Sequence, residues 1–359
     1  MTEASQASNA APVRVLVAGI GHMGRSHALA CHHNPGFEIV GLVNRGDIEL
    51  PTELEAYPMF RKFADALQQT QPALCSINTY SDSHANYAIM AMQQGAHVFV
   101  EKPLATNLAD AERVVDCARK NKRKLVVGYI LRHHPSWQRL IEESRKLGGP
   151  YVFRMNLNQR SSGETWDTHK RLMDTTSPIV DCGVHYVDVM CQITDARPVR
   201  VHGMGLRLSD EIAEDMYNYG HLQVLFDDGS VGWYEAGWGP MMSDTAFFVK
   251  DVISPKGALS IIVNDGAKSD DMETHTRTSL IRIQHAEVNP TGEFAKADTL
   301  LDMAGEPGHQ GLCDFEQAYV LSAIRDDIDL NRHMNDAIQS LKICLAADQS
   351  IRQRTAIDL

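Results

Sequence analysis

Residues 13–24 read VRVLVAGIGHMG: an apolar run of strand composition, then three glycines at the spacing G-x-G-x-x-G. SHALACHHN follows with helical composition and stops at Asn34-Pro35-Gly36, and FEIVGLV at 37–43 returns to strand. Strand, glycine turn, helix and strand make a βαβ unit, the one setting in which this glycine spacing carries weight. Gly19 permits the tight turn, Gly21 lets a diphosphate approach the backbone, and Gly24 lets helix and sheet pack without a side chain between them. The free amides at the start of the helix then face the phosphates, with His22 and Met23 on the same turn. The bland alternative is an ordinary glycine-rich loop.

Outward from this unit the rhythm continues. PALCSIN (72–78), HVFV (97–100) and LVVGY (125–129) read as further strands, separated by the helical patterns SHANYAIMAMQQG (83–95) and NLADAERVVDCARKN (107–121). Asn107 is placed to cap the second of these, with Asp110 at its third position. Short strands that are apolar on both faces, alternating with helices, imply a parallel sheet covered on each side. After Gly148-Gly149-Pro150 the pattern changes to longer strands with polar alternation, a helix within 175–194, and an Asp-Gly hairpin signal in FDDGSVGW. Two helical patterns close the chain. The fold class read from this is α/β: an N-terminal Rossmann dinucleotide-binding domain over 12–130. A C-terminal α+β domain over 131–359 follows it, with a large open, mainly antiparallel sheet.

Composition bounds the function. The chain has 359 residues and a formal charge of −12, so a nucleic-acid partner is not expected. ARKNKRK at 118–124 reads as a solvated helix end. No long apolar run suggests a membrane span, and seven scattered cysteines without an export signal suggest free thiols and a cytoplasmic protein.

The end of the second strand, LVNRGD, bears on cofactor choice. Asn44 stands where an acid would bind ribose hydroxyls, and Arg45 can pair with a 2′-phosphate; Asp47 reaches the ribose only if the loop bends back. NADP is therefore favoured over NAD.

Two constellations carry chemistry. Glu101, Lys102 and Pro103 follow the fourth apolar run, where ligands collect beyond the strand ends of an open parallel sheet. A lysine there stabilises developing alkoxide charge, Pro103 fixes the turn, and Glu101 pairs locally or reaches a cofactor. In IVDCGVHYVD, Asp181 and His185 are four apart and share a helix face that Asp188 continues, an arrangement suited to proton exchange near neutrality. A surface ion pair or a satisfied core histidine are the competing readings. Asp181, Cys182, His185 and Cys191 include metal-ligand residue types, but no HExxH or CxxC occurs and no metal is expected; no GxSxG elbow supports a hydrolase.

Taken together, VLVAGIGHMGRSHALA, SHANYAIMAMQQGAHVFVEKPLATNLADAERV, the DCGVHYVD helix and the later SPKGALSI resemble the Gfo/Idh/MocA oxidoreductases. The resemblance implies a catalytic Lys102, an acid–base His185 and Asp181 preceding it, with a cis Lys102–Pro103 peptide. It implies a cofactor surface that adds Asn78, Thr79, Tyr80, His84 and Glu101 to the glycine turn, and a homodimer or homotetramer formed through the C-terminal sheet. The loop NTYSDSH lacks an aromatic-rich, proline-containing segment frequent in the family, and MDTTSPIV replaces a glycine-rich one. Arg160, Trp166 and His169 are candidates for holding substrate hydroxyls. The expected activity is hydride transfer between NAD(P) and a secondary hydroxyl or ketone of a sugar, sugar derivative or cyclitol. A non-catalytic sugar and dinucleotide sensor, and a dihydrodiol or ketone reductase, are the alternatives.

Overall fold

The computed structural model describes residues 11–245, 247–263, 267–270 and 278–359. The first sheet has six strands, all parallel, built from β1 (Val13–Ala18), β2 (Phe37–Val43), β3 (Met59–Phe60), β4 (Leu74–Ile77), β5 (His97–Glu101) and β6 (Leu125–Gly128). Their spatial order is β3-β2-β1-β4-β5-β6, so the direction of winding reverses between β1 and β4. A crevice opens outside the strand ends at such a reversal, and the glycine turn lies there.

The sequence VRVLVA is apolar at nearly every position because both faces of its strand are covered. Val15 and Val17 join one buried cluster with α1 (His22–His33) and the late helix His309–Arg325. Leu16 and Ala18 join the other, with α2 (Phe63–Thr70), α3 (Ser81–Gln93) and α4 (Leu108–Asn121). Asn107 caps α4 as expected, its Oδ1 accepting the Asp110 amide at 2.9 Å. The unforeseen pieces are β3 and α2, which make β5 the fifth strand rather than the fourth. The two-residue β3 is too short to leave a periodic signal.

After β6 the chain forms α5 (Pro135–Leu147), β7 (Val152–Arg160) and α6 (Gly163–Leu172), then α7 (Pro178–Asp181) and α8 (Gly183–Thr194). The single helix expected within 175–194 is thus two, interrupted at Cys182. Ser177 starts α7, its side chain accepting the Val180 amide. Among the described residues the second sheet has nine strands and adds β8 (Pro198–Leu206), β9 (Tyr219–Phe226), β10 (Val231–Gly239), β11 (Lys250–Ser254), β12 (Gly257–Ile262), β13 (Leu280–His285), β14 (Thr299–Asp302) and β15 (Ile357–Asp358). Every neighbouring pair is antiparallel except β7 with β10. The β9–β10 hairpin has the expected glycine at positive φ (Gly229, 86°), but its loop spans 227–230 instead of two residues. The Asp228 carboxylate accepts both the amide and the hydroxyl of Ser230, which holds the wider turn.

One face of this sheet is packed by α7, α8 and the long helix Asn331–Gln353, which also reaches α4 and β6 of the first sheet. His309–Arg325 packs on α1, so both terminal helices reach the first domain from beyond the boundary drawn at 130/131, and the long one fastens the two sheets together. Arg132 adds a polar joint: its guanidinium meets Asp188 of α8 and Asp336 of the long helix.

Candidate active site

At the glycine turn, Gly19 holds φ at +83°, a conformation that side chains disfavour. A Cβ on Gly24 would lie 1.7 Å from the Gly19 carbonyl oxygen, so contact of helix on turn forbids any side chain there. Gly21 is different: a Cβ would meet nothing within 4 Å. No protein atom needs that glycine, which fits a position kept bare for a ligand. No side chain caps α1, leaving its first amides for an anion. The Asn78 Oδ1 nearby is buried without a hydrogen-bond partner among the described residues. These features fit a dinucleotide.

Asn44 turns back on the fold, its Oδ1 accepting the Ile20 amide at 3.2 Å and its amide donating to the Gly46 carbonyl at 2.9 Å. Arg45 stands exposed beyond it, while Asp47 is held by Arg61. His22 is exposed, Met23 packs against the core, and Tyr80 is exposed. Thr79 exchanges a 2.6 Å hydrogen bond with Ser83. Two expected cofactor contacts take other roles. The buried His84 ring lies between the carbonyls of Pro103 and Thr79, 2.8 Å from each, and so ties two loops together. Glu101 is buried against His27 (2.8 Å) and its other oxygen accepts the Lys102 amide at 3.2 Å. Both His84 nitrogens and both Glu101 oxygens are thus engaged within the protein; periodicity cannot reveal that, because Pro103 and His27 lie on other elements.

The cis peptide at Lys102–Pro103 is present. Lys102 Nζ donates to Asp181 Oδ2 at 2.8 Å and to the Asp181 carbonyl at 3.2 Å, joining the end of β5 to the end of α7. Burial would lower the lysine's pKa, but the Asp181 charge outweighs it and raises it, so the ammonium persists. His185 lies in the same electrostatic neighbourhood, with its Nδ1 buried and lacking a hydrogen-bond partner among the described residues, and its ring centroid 5.9 Å from that of Tyr129. Burial first, and the Lys102 cation second, press its pKa down to about 3. The imidazole is therefore neutral where a group titrating near neutrality was expected. Asp188 does not continue the catalytic face but is buried in the Arg132 ion pair.

Of the proposed substrate residues, Arg160 is exposed and paired with Asp244 at 2.7 Å. Trp166 is buried and donates to Glu211 at 3.1 Å. His169 is buried, stacked on Trp238 at 4.5 Å and hydrogen-bonded to Ser161 at 2.9 Å. These contacts shape the wall formed by α6 and β10. Sequence reasoning missed Arg132, His27 and Lys250. The last is a buried lysine whose Nζ lies 4.2 Å from the Tyr186 ring centroid, and burial draws its pKa well down. Only Arg132 left a trace, as an arginine among apolar residues after β6.

A family model for the oxidoreductase family with an NAD-binding Rossmann fold matches residues 13–129, and one for the GFO/IDH/MocA C-terminal domain matches 138–249. The chain belongs to the Gfo/Idh/MocA family. UDP-N-acetylglucosamine 3-dehydrogenase of Acidithiobacillus ferrooxidans is 29% identical over 196 residues, 54% of this chain and 58% of that protein. The aligned region spans just over half the length of the curated relatives it matches. Two solved structures share the fold across nearly the whole chain. That of myo-inositol 2-dehydrogenase from Lactobacillus plantarum has a TM-score of 0.77 at 17% identity, covering 97% of this chain and 99% of its own. That of the WlbA dehydrogenase from Bordetella pertussis, in complex with NADH and UDP-GlcNAcA, has a TM-score of 0.73 at 19% identity, covering 97% and 99%. Among the described residues, no helix is long and apolar enough to cross a membrane.

Proposed function

We propose that this Gfo/Idh/MocA protein is an NAD(P)-dependent dehydrogenase acting on a secondary hydroxyl of a sugar, sugar derivative or cyclitol. The observation that carries the reading is the Lys102–Asp181 contact, which keeps the lysine charged close enough to His185 for that charge to lower the imidazole's pKa. In this reading Lys102 Nζ holds the substrate oxygen and stabilises the charge that grows on it. The neutral His185 ring, half-buried beside that charge, accepts the hydroxyl proton. Asp181 keeps Lys102 charged and oriented. When bound, the dinucleotide supplies the hydride acceptor; run backwards, the same side chains reduce a ketone and His185 returns the proton.

The relatives' names support a nucleotide sugar or an inositol as the substrate class, and the dinucleotide of the WlbA complex supports a nicotinamide cofactor. Exposed Arg45, with Asp47 engaged by Arg61, supports NADP over NAD. The outer face of the second sheet supports a homo-oligomer: Leu225, Val231 and Val152 line up across three strands, each about 40% exposed. A second copy covering that row is the proposed occupant.

The test is absorbance at 340 nm with NAD and with NADP against a panel of inositols, sugars and nucleotide sugars. Reduction of either cofactor by one substrate class, slowed about 10²–10³-fold by Lys102→Met, is expected. Tight cofactor binding with no turnover across the panel would favour the sensor reading.

A further inference from the structure

Glu101 leads from the active site into a buried seam between α1 and helix His309–Arg325. Its Oε1 lies 2.8 Å from His27 Nε2, and His27 Nδ1 lies 3.0 Å from Gln317 Nε2. An amide nitrogen can only donate, so Nδ1 carries the lone pair and Nε2–H donates to Glu101. Beside this ring stands Glu316, 1% exposed, with neither carboxylate oxygen hydrogen-bonded among the described residues. A bare carboxylate in that position is costly unless a cation or a proton accompanies it. Cys313 completes the group: ligand atoms of His27, Cys313 and Glu316 all lie within 4.8 Å of one another, and all three residues are buried. Along the late helix His309, Cys313 and Glu316 fall at i, i+4 and i+7, one face, and His309 Nε2 is 3.8 Å from Cys313 Sγ.

We propose that this seam is a structural zinc site, with His27 Nδ1, Cys313 Sγ and the Glu316 carboxylate as ligands and His309 as the fourth. Zinc bonds of roughly 2.0–2.3 Å bring tetrahedral ligands to about 3–4 Å from each other, a contraction of about 1 Å from the present spacing. A thiolate and a carboxylate balance the divalent charge and relieve the unpaired Glu316. Gln317 withdraws its amide as the metal takes Nδ1, while Glu101 keeps the other ring nitrogen, the carboxylate–histidine–zinc arrangement that orients such ligands. Half-buried His309, 5.7 Å from the exposed His22 ring, marks the entry. The ion pins the late helix to the first sheet and steadies Glu101, which accepts the Lys102 amide. The site is independent of the proposed reaction.

The experiment is elemental analysis of protein expressed with zinc and then desalted, alongside Cys313→Ser, Glu316→Gln and the surface control His32→Ala. About one zinc per chain is expected in the parent and the control, with at least a tenfold loss in the two site variants. Circular dichroism confirms that each variant is folded. Since a site variant can fail to fold, the parent is also stripped and reloaded with cobalt, which must show the thiolate-to-cobalt charge-transfer absorption of a cysteine ligand. Negligible zinc in the parent after incubation with excess metal overturns the site, and so does equal zinc in the parent and both folded variants. Cobalt uptake without the thiolate band overturns it too, whatever the variants do. If no zinc binds, Glu316 is a buried neutral acid.

Discussion

Lys102 Nζ reaches across to Asp181 Oδ2 at 2.8 Å, linking the end of the fifth strand of one sheet to the helix that packs on the other. Each side chain is mostly buried, so the contact is strong and holds the ammonium in one place. Lys102→Met should leave dinucleotide affinity within about twofold yet reduce turnover about 10²–10³-fold, the loss expected when one transition-state charge partner is removed. Fluorescence titration of the cofactor beside steady-state rates reads both quantities.

His185 gives a prediction in pH. Its folded-state pKa of about 3 lies below the ordinary 6.5, so the ring is neutral throughout the working range and becomes protonated only near pH 3. kcat/KM should therefore show no limb from this group between about pH 5 and 8, while His185→Gln should lower it about 10²–10⁴-fold at every pH. The same depression makes the neutral ring stabilising above pH 6.5, an advantage lost as pH falls toward 3. A bell-shaped profile near pH 6.5 that disappears in His185→Gln would overturn this.

The glycine turn separates folding from binding. Gly21→Ala adds a methyl to open space and should leave the melting temperature nearly unchanged while weakening dinucleotide binding about tenfold or more. Gly24→Ala drives a methyl into the Gly19 carbonyl and should destabilise the fold itself. Thermal melts with and without cofactor distinguish the two.

Cofactor choice rests on Arg45. Arg45→Gln should raise the Kd for NADP about tenfold, the worth of one exposed charged pair to a phosphate, and leave NAD unchanged. Equal effects on both cofactors would dismiss the 2′-phosphate assignment.

Arg132 clamps Asp188, whose side chain is 1% exposed, and Asp336, so it joins three elements. Asp188→Ala leaves the guanidinium short of its main partner and should cost about 3–5 kcal/mol in urea unfolding. An effect below about 1 kcal/mol would mean that Asp336 alone satisfies Arg132.

Local chemistry wrote most of the first domain plainly. Strands apolar on both faces, glycines between them and Asn107 before α4 each act over a few residues, so they were legible in VRVLVAGIGHMG and NLADAERV. The two-residue β3, the break at Cys182 and the widened hairpin were not. The strand β3 is too short to show a period. The other two turn on single side-chain hydrogen bonds, Ser177 with the Val180 amide and Asp228 with Ser230, that hydrophobic periodicity does not record. In the candidate site, Lys102, Asp181 and His185 were legible from residue type and position. The redirection of His84, Glu101 and Asp188 to internal partners was not, because those partners lie on other elements.

By itself, then, the sequence determined the layered parallel sheet, the glycine turn at its first strand and the side chains proposed to react. Only the tertiary structure decided which acid meets which base, which charges are paired, and that the imidazole stays neutral. Propensity and periodicity act between near neighbours along the chain, whereas desolvation and Coulomb energy depend on distances in space that the folded chain alone sets.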